Sequence, residues 1–338
     1  MKYKMYDEIM EQKDALVKTF ESETSLLDNI SSIVEEKDKV YLVGCGSSIS
    51  TCYSVRDALA SCSTIDIDVF TGFEFTYNKK LILGENSIAI FTSQSGETGD
   101  TVAALRKAQE FKIPAVSISN EPDSTMAKEA DYGIVSRGGK ETAILGTKTY
   151  VTQLTCLYYI LFKASDYENK DKLIDELKNI GSLLDNLLES THDESKKLAE
   201  LFKDEEIFYC LGSGPNFGLS YKLAMTMFME GALKHACPLY AAEFRHGLIE
   251  RAEKGVPAVF LNSGFESDVI TEKAIDFCEK LEMNLIIYNL SDYVGDDFDK
   301  LLSPFVFIAP LEWFIYYLAH FNNEDPGSTR HIGKVRYD

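Results

Sequence analysis

Ile88-Ala-Ile-Phe-Thr92 runs directly into Ser93-Gln-Ser-Gly-Glu-Thr98, and that into Gly99-Asp-Thr-Val-Ala-Ala-Leu-Arg-Lys107. The first piece has the composition of a buried strand, the second is a loop of small and hydroxyl-bearing residues, and the third has helical spacing. A strand that feeds a helix through such a loop builds an anion site. The first-turn N–H groups of the helix have no intrahelical partner, and the helix dipole favours negative charge there. Ser93, Ser95 and Thr98 add hydroxyl donors beside Gln94. The loop holds no Lys or Arg, so the predicted guest is a phosphate held by neutral donors. The same residues also fit an ordinary strand-to-helix turn with N-caps.

Outward from this stretch, the chain repeats itself. Val40-Tyr-Leu-Val-Gly-Cys-Gly46 matches Phe208-Tyr-Cys-Leu-Gly-Ser-Gly214, and Ser95-Gly96 matches Ser263-Gly264 at the same 168-residue offset. Two landmarks with one offset imply a duplicated αβ unit. In the first copy the predicted strands are 39–43, 66–70, 86–92, 114–118 and 132–136. In the second they are 206–211, 237–241, 256–261, 284–289 and 304–309. Short apolar strands alternating with helices predict an α/β fold with parallel sheets and helices on both faces. Ligands in such sheets bind beyond the carboxyl ends of the strands. Segments follow from the pattern: 1–34 helical, 35–165 and 204–324 the two copies, 166–203 a linking helix pair, and 325–338 a tail.

The bulk properties narrow the function. The chain has 338 residues and a net charge of −20, which disfavours nucleic acid and anionic membrane surfaces as partners. An anionic substrate must then be met by local donors. Seven cysteines, an odd count without a Cys-x-x-Cys pair, read as free thiols in a reducing cytosol. No metal-ligand spacing and no signal peptide are visible, so neither a metal nor another cofactor is expected. The apolar run from Leu301 to Phe321 contains two prolines, Glu312 and His320, and is read as a strand then a helix, not as a membrane span.

Several residues carry candidate chemistry. Gly44-Cys-Gly-Ser-Ser48 follows the first strand; its glycines permit close backbone approach, and Gly46, Ser47 and Ser48 make a second wall of the phosphate pocket. The second copy has Pro215 and Asn216, and Phe265 and Glu266, at the matching places, so one phosphate per chain is expected. Glu230 lies in a segment, 223–233, that is apolar nearly all round. Burial there raises a carboxyl pKa toward that of a general base, although a structural glutamate fits equally well. His246 sits beside Arg245 in Glu243-Phe-Arg-His-Gly247, a charged cluster after an apolar run, and is a candidate acid/base. His235 reads as structural and His192 as solvated. The basic tail, with His331 and Lys334, either is flexible or folds over an anionic substrate.

Together these motifs resemble the sugar isomerase (SIS) domain family. Ser93–Thr98 looks like its phosphate loop, Gly44–Ser48 like its first glycine-serine turn, and the double arrangement resembles the isomerase half of glucosamine-6-phosphate synthase. The resemblance implies two tandem SIS domains of flavodoxin-like build. It makes Glu230 the isomerising base, His246 the ring-opening acid/base and Lys334 a sugar-contacting lysine, with Gly146, Arg245 and His331 against the substrate. Met227 replaces a second active-site lysine of the synthase, and Gly146 replaces a serine. Neither a glutaminase domain nor its cysteine nucleophile is expected. Glu243–Glu250, Gly255-Val-Pro, Ser303-Pro-Phe, Pro310–Leu318 and Gly333–Tyr337 look like the fructosamine-6-phosphate deglycases. The activity implied is cleavage of an Amadori phosphate to glucose 6-phosphate and free amine. The alternatives are aldose–ketose isomerisation, amino-sugar-phosphate deamination, or a non-catalytic sensor. The family also implies a cytoplasmic homodimer with the active site at the subunit interface, with the chemistry about a sugar's length from the phosphate loop.

Overall fold

A computed structural model describes residues 2–335. Arg336 and Tyr337, which complete the deglycase-like ending, lie outside the described residues. The chain divides into two compact units. One comprises Glu11–Lys140 and Lys148–Ser182; the other comprises Met1–Met10, Glu141–Thr147 and Leu183–Asp338. Thus helix α1 (Lys4–Met10) and the 141–147 loop belong with the second sheet, although the sequence order sets them among the first.

The first-sheet unit holds strands β1 (Lys39–Val43), β2 (Ile67–Phe70), β3 (Ser87–Ser93), β4 (Ala115–Ser119) and β5 (Tyr132–Val135). All pairings are parallel, in the order β2-β1-β3-β4-β5. Side chains alternate between faces of a strand, so one face is covered by each set of helices. Tyr41, Val43, Ala89 and Phe91 pack against Phe75, Leu105 and Met126. Those three come from α4 (Gly72–Tyr77), α5 (Gly99–Glu110) and α6 (Thr125–Glu129). Each such fully buried apolar side chain contributes about 1.5–3 kcal/mol. The helices α2 (Gln12–Glu35) and α3 (Ser47–Ala60) both pack on α7 (Lys148–Ala164). The expected linking pair is instead one helix, α8 (Lys170–Phe202). The helix runs on for 33 residues with no Pro or terminal Gly cap to interrupt it, and buried Thr191 and Ser195 carry its packed face through the polar stretch at 189–197.

The second-sheet unit holds β6 (Ile207–Gly212), β7 (His235–Tyr240), β8 (Pro257–Asn262) and β9 (Asn284–Asn289), also parallel, in the order β7-β6-β8-β9. The helices are α9 (Pro215–Lys222), α10 (Val269–Lys280) and α11 (Ser303–Phe321), with a π-helix over Leu223–Ala232. The predicted strand at 304–309 is the start of α11. A short apolar run suits a buried helix as well as a buried strand. Here Pro304 occupies the helix start, where its missing N–H costs nothing, and Pro310 is accommodated inside the helix. Lys300–Phe321 is long and apolar enough to cross a membrane, yet its apolar core from Ser303 to Ala319 is buried in the protein, as a core helix is. His192, expected in solvent, is half-buried: its Nε2 lies 2.7 Å from the Tyr317 hydroxyl and its ring packs edge-on to Trp313.

The two sheets repeat in backbone detail. Gly46 (φ 57°, ψ −127°) and Gly214 (φ 53°, ψ −134°) each hold the residue before the next helix in one unusual conformation. Gly96 and Gly264 share positive φ values of 63° and 68°. A side chain at these angles is strained, which accounts for glycine at all four places.

Candidate active site

In the first-sheet unit, β1 and β3 are neighbours whose following connections leave for opposite sides of the sheet. This is the switch point where doubly wound sheets bind ligands. Gly44–Ser48 leaves β1 there and Ser93–Thr98 leaves β3. The Thr101 hydroxyl approaches Cys45 Sγ at 3.8 Å and ties the two loops together. Ser93 is buried; its Oγ accepts the Gly96 N–H at 3.1 Å and lies 3.0 Å from the Thr98 hydroxyl. The Ser95 hydroxyl accepts the Glu97 N–H at 3.2 Å. The Gln94 carbonyl accepts the Asn120 N–H, while the Gln94 side chain stays half-buried. Ser48 is buried, Ser47 half-buried and Gly46 exposed. Neither α3 nor α5 is capped by the side chain of the residue before it. Two helix starts with uncapped first turns and hydroxyls between them can hold a phosphate.

Glu97 would repel that guest if its carboxylate faced the loop. It does not: the Thr125 N–H and hydroxyl donate to it at 2.6 and 2.8 Å, and these bonds hold its pKa below the usual carboxylate range. The second copy solves the same loop differently. Asp268, fully buried, accepts the Ser263 and Phe265 N–H groups at 3.1 Å each and the Thr271 hydroxyl at 3.0 Å. An internal carboxylate therefore takes up the backbone N–H groups of this loop.

Glu230 stands on the π-helix. Such helices are rare and recur at functional sites. The carboxyl is half-buried, and burial raises its pKa while the Lys222 ammonium opposes the rise. Glu230 opens on a cavity of about 440 Å³. Ile144, Met229, Leu233 and Ile332 give it apolar walls, and Lys234, His235, Arg330 and His331 add basic groups. His331 thus lines the cavity with Glu230. His235, read as structural, is exposed and lines it too. Lys334 is not in the lining; its ammonium donates to the Thr329 carbonyl. His246 is exposed on the 3₁₀ turn after β7, accepts from Arg245 Nε at 3.2 Å, and is also outside this cavity's lining.

Three anchors fix the cavity's 141–147 wall within its own unit. The Glu8 carboxylate accepts the Thr142 N–H at 2.6 Å and the Ala143 N–H. The Glu141 carboxylate accepts the Thr147 N–H and hydroxyl at 2.7 and 2.6 Å. Lys222 donates to the Gly146 carbonyl at 2.8 Å. Gly146, expected against the substrate, is not in the cavity's lining, and its carbonyl is taken up by Lys222. Gly231 packs so closely on Leu145 that a Cβ would come within 2.3 Å of it. Lys222 escaped the sequence reading, because a lysine at the end of a helix gives no sign that it is 1% exposed. Desolvation lowers its pKa, while Glu312, Glu141 and Glu230 counteract. Arg330 escaped too, as one of several basic residues in the tail. No group of side chains suited to a metal ion is found among the described residues.

Residues 32–163 match the family model described as SIS domain. Fructoselysine 6-phosphate deglycase of Escherichia coli is 26% identical over 309 residues, covering 90% of this chain and 89% of that enzyme. The isomerizing glutamine–fructose-6-phosphate aminotransferase of Thermococcus kodakarensis is 29% identical over 358 residues, covering 98% of this chain but 57% of the aminotransferase. The chain thus spans little more than half the length of that relative. Among solved structures, the C-terminal domain of glucosamine-fructose-6-phosphate aminotransferase from Francisella tularensis superposes with a TM-score of 0.85 at 24% identity, covering 96% of this chain and 98% of that one. Residues 32–163 are thus a SIS domain, and over nine-tenths of its length the chain is similar to a fructoselysine 6-phosphate deglycase.

Proposed function

We propose that the chain is a deglycase acting on a 6-phosphorylated fructosamine. The observation that carries the proposal is Glu230: a half-buried carboxyl with a raised pKa, opening on a basic, apolar-walled cavity. The substrate's phosphate is held at Ser47, Ser48, Ser93, Ser95 and Thr98, and this remote contact positions the reacting carbons. Glu230 removes a proton from carbon 1 of the open-chain ketosamine, and the carbon 2 carbonyl becomes the hydroxyl of an enaminol. Return of the proton to carbon 2 leaves an imine at carbon 1. Water adds to that carbon, the C–N bond breaks, and glucose 6-phosphate and the free amine depart. His246, supplied by a second copy of the chain, serves as acid/base for ring opening and amine departure. Its exposure and its place outside the Glu230 cavity support a role across subunits. The seven free cysteines support a reducing, cytoplasmic setting.

The test is a panel of 6-phosphorylated fructosamines, glucosamine 6-phosphate and fructose 6-phosphate, with glucose 6-phosphate and released amine measured. Turnover of an amino sugar or ketose phosphate without any fructosamine turnover would replace this reading with deaminase or isomerase. Glu230→Gln should lower kcat by about 10²–10⁴ and leave sugar-phosphate binding intact. Retained turnover removes Glu230 from the reaction.

A further inference from the structure

The loop at 141–147 is where both ends of the chain meet within one unit. From the N-terminal side comes α1, seven residues long. Its Met5 and Ile9 are fully buried, and the Tyr6 ring centroid lies 4.8 Å from that of Trp313 and 5.7 Å from that of Tyr316. The Tyr316 hydroxyl accepts the Tyr3 N–H at 3.0 Å, and Trp313 Nε1 donates to the Leu188 carbonyl at 2.8 Å. Ring contacts thus seat α1 on α11. From that seat the Glu8 carboxylate, 6% exposed, accepts the N–H groups of Thr142 and Ala143 at 2.6 and 3.2 Å and the Thr142 hydroxyl at 3.1 Å. From the C-terminal side the Gly327 carbonyl accepts the Ile144 N–H at 3.1 Å. The tail then continues through Ser328 to Ile332, which line the cavity together with Ile144 and Glu230. Leu145, 1% exposed, fills the space beside Gly231, the residue next to Glu230.

We propose that Glu8 is a positioning residue for the reaction, acting from α1 through the 141–147 loop; this rests on the reading of Glu230 as the base. Glu8 holds Thr142 and Ala143, the tail holds Ile144, and Leu145 bears on the part of the π-helix that carries Glu230. A backbone fixed at three consecutive residues has little freedom left, so the loop sets how Gly231 packs and where the Glu230 carboxyl points. Removing the Glu8 carboxylate leaves two N–H groups without their acceptor, that of buried Ala143 among them, and the loop must then shift to satisfy them. A misplacement of about 1 Å at a reacting group costs roughly a hundredfold in rate. The phosphate loop lies in the other compact unit, so the hold on the phosphate end should not feel the change.

The experiment uses the full chain with Glu8→Ala, Glu8→Gln and Tyr6→Leu, each checked by a thermal melt. Amide hydrogen exchange at Thr142 and Ala143 in the free protein should speed up by about tenfold or more in Glu8→Ala, while β6 and β8 exchange as in the wild type. On whichever substrate of the panel the wild type turns over, kcat should fall by roughly tenfold to a hundredfold while KM stays within about threefold. Glu8→Gln keeps the side chain's length and one acceptor oxygen, and should keep part of the rate. Tyr6→Leu loosens the seat of α1 without touching the loop, and should show both effects in weaker form; it carries the test if Glu8→Ala does not fold. Unchanged exchange at Thr142 and Ala143, or an unchanged kcat although exchange rises, overturns the proposal and leaves the deglycase reading standing. A KM that rises as much as kcat falls marks a general loss of structure and overturns it too. Full turnover by Glu230→Gln removes the base, and the positioning role of Glu8 with it.

Discussion

Lys222 and Glu230 share one electrostatic environment. A carboxyl whose pKa is raised by burial is protonated over a wider acidic range than an ordinary glutamate. As a base it works only when ionised, so the acid limb of kcat/KM is expected above the usual carboxylate range. The Lys222 ammonium favours the ionised form. Lys222→Met removes that influence, so the limb should move to higher pH, while the alkaline plateau changes less. A pH–rate profile checks this, with a thermal melt to confirm folding. A limb that moves to lower pH, or stays in place, separates Lys222 from the base. At this scale the sequence was half legible. Glu230 stood out because a carboxyl interrupts an otherwise apolar run, a contrast visible in one dimension. The burial of Lys222 and the turn of Arg330 toward the cavity come from packing, which one-dimensional spacing does not encode.

The two hydroxyl loops depend on backbone geometry as much as on side chains. Gly96 has φ 63°, and a Cβ on it would meet Ser124 Oγ at 2.2 Å. Ser124 cannot simply swing away, because its hydroxyl caps α6 by accepting the Ala127 N–H. Gly96→Ala should cost at least about 1–2 kcal/mol from the left-handed conformation alone, with the clash in addition. Urea denaturation measures it, and a loss below about 0.5 kcal/mol would mean the loop relaxes freely. Strands β1 to β9 were readable because buried parallel strands are nearly continuous apolar runs between turn residues. The same rule misplaced 304–309, since a helix buried on all sides has the same composition. The single helix α8 was missed as a pair because the polar stretch 189–197 looks like a break, although buried Thr191 and Ser195 carry the packed face through it.

For the whole molecule, the strongest expectation concerns two copies. If His246 reaches the partner's Glu230, then Glu230→Gln and His246→Asn variants are each inactive but complementary. Random reassortment at equal amounts puts half the molecules in mixed dimers, each with one intact site, so about a quarter of wild-type activity should return. Mixtures as inactive as their parents would place both residues in one chain's site. The duplication was legible because its offset is constant, and the glycine conformations repeat with it. The membership of α1 and the 141–147 loop was not, because it depends on bonds such as Glu8 to Thr142 between residues more than a hundred positions apart.

Asp268 gives the duplication an arithmetic. On the phosphate reading proposed above, two like loops were available to an anion, and the chain's own carboxylate takes up the N–H groups of one of them. A ligand must displace that resident at full desolvation cost, whereas in the other loop the Gly96 and Glu97 N–H groups are held by neutral serine hydroxyls. Titration of a sugar phosphate against the protein should then saturate at one equivalent per chain. Excess substrate would find no second anchor from which to inhibit, and the rate should rise along a simple hyperbola.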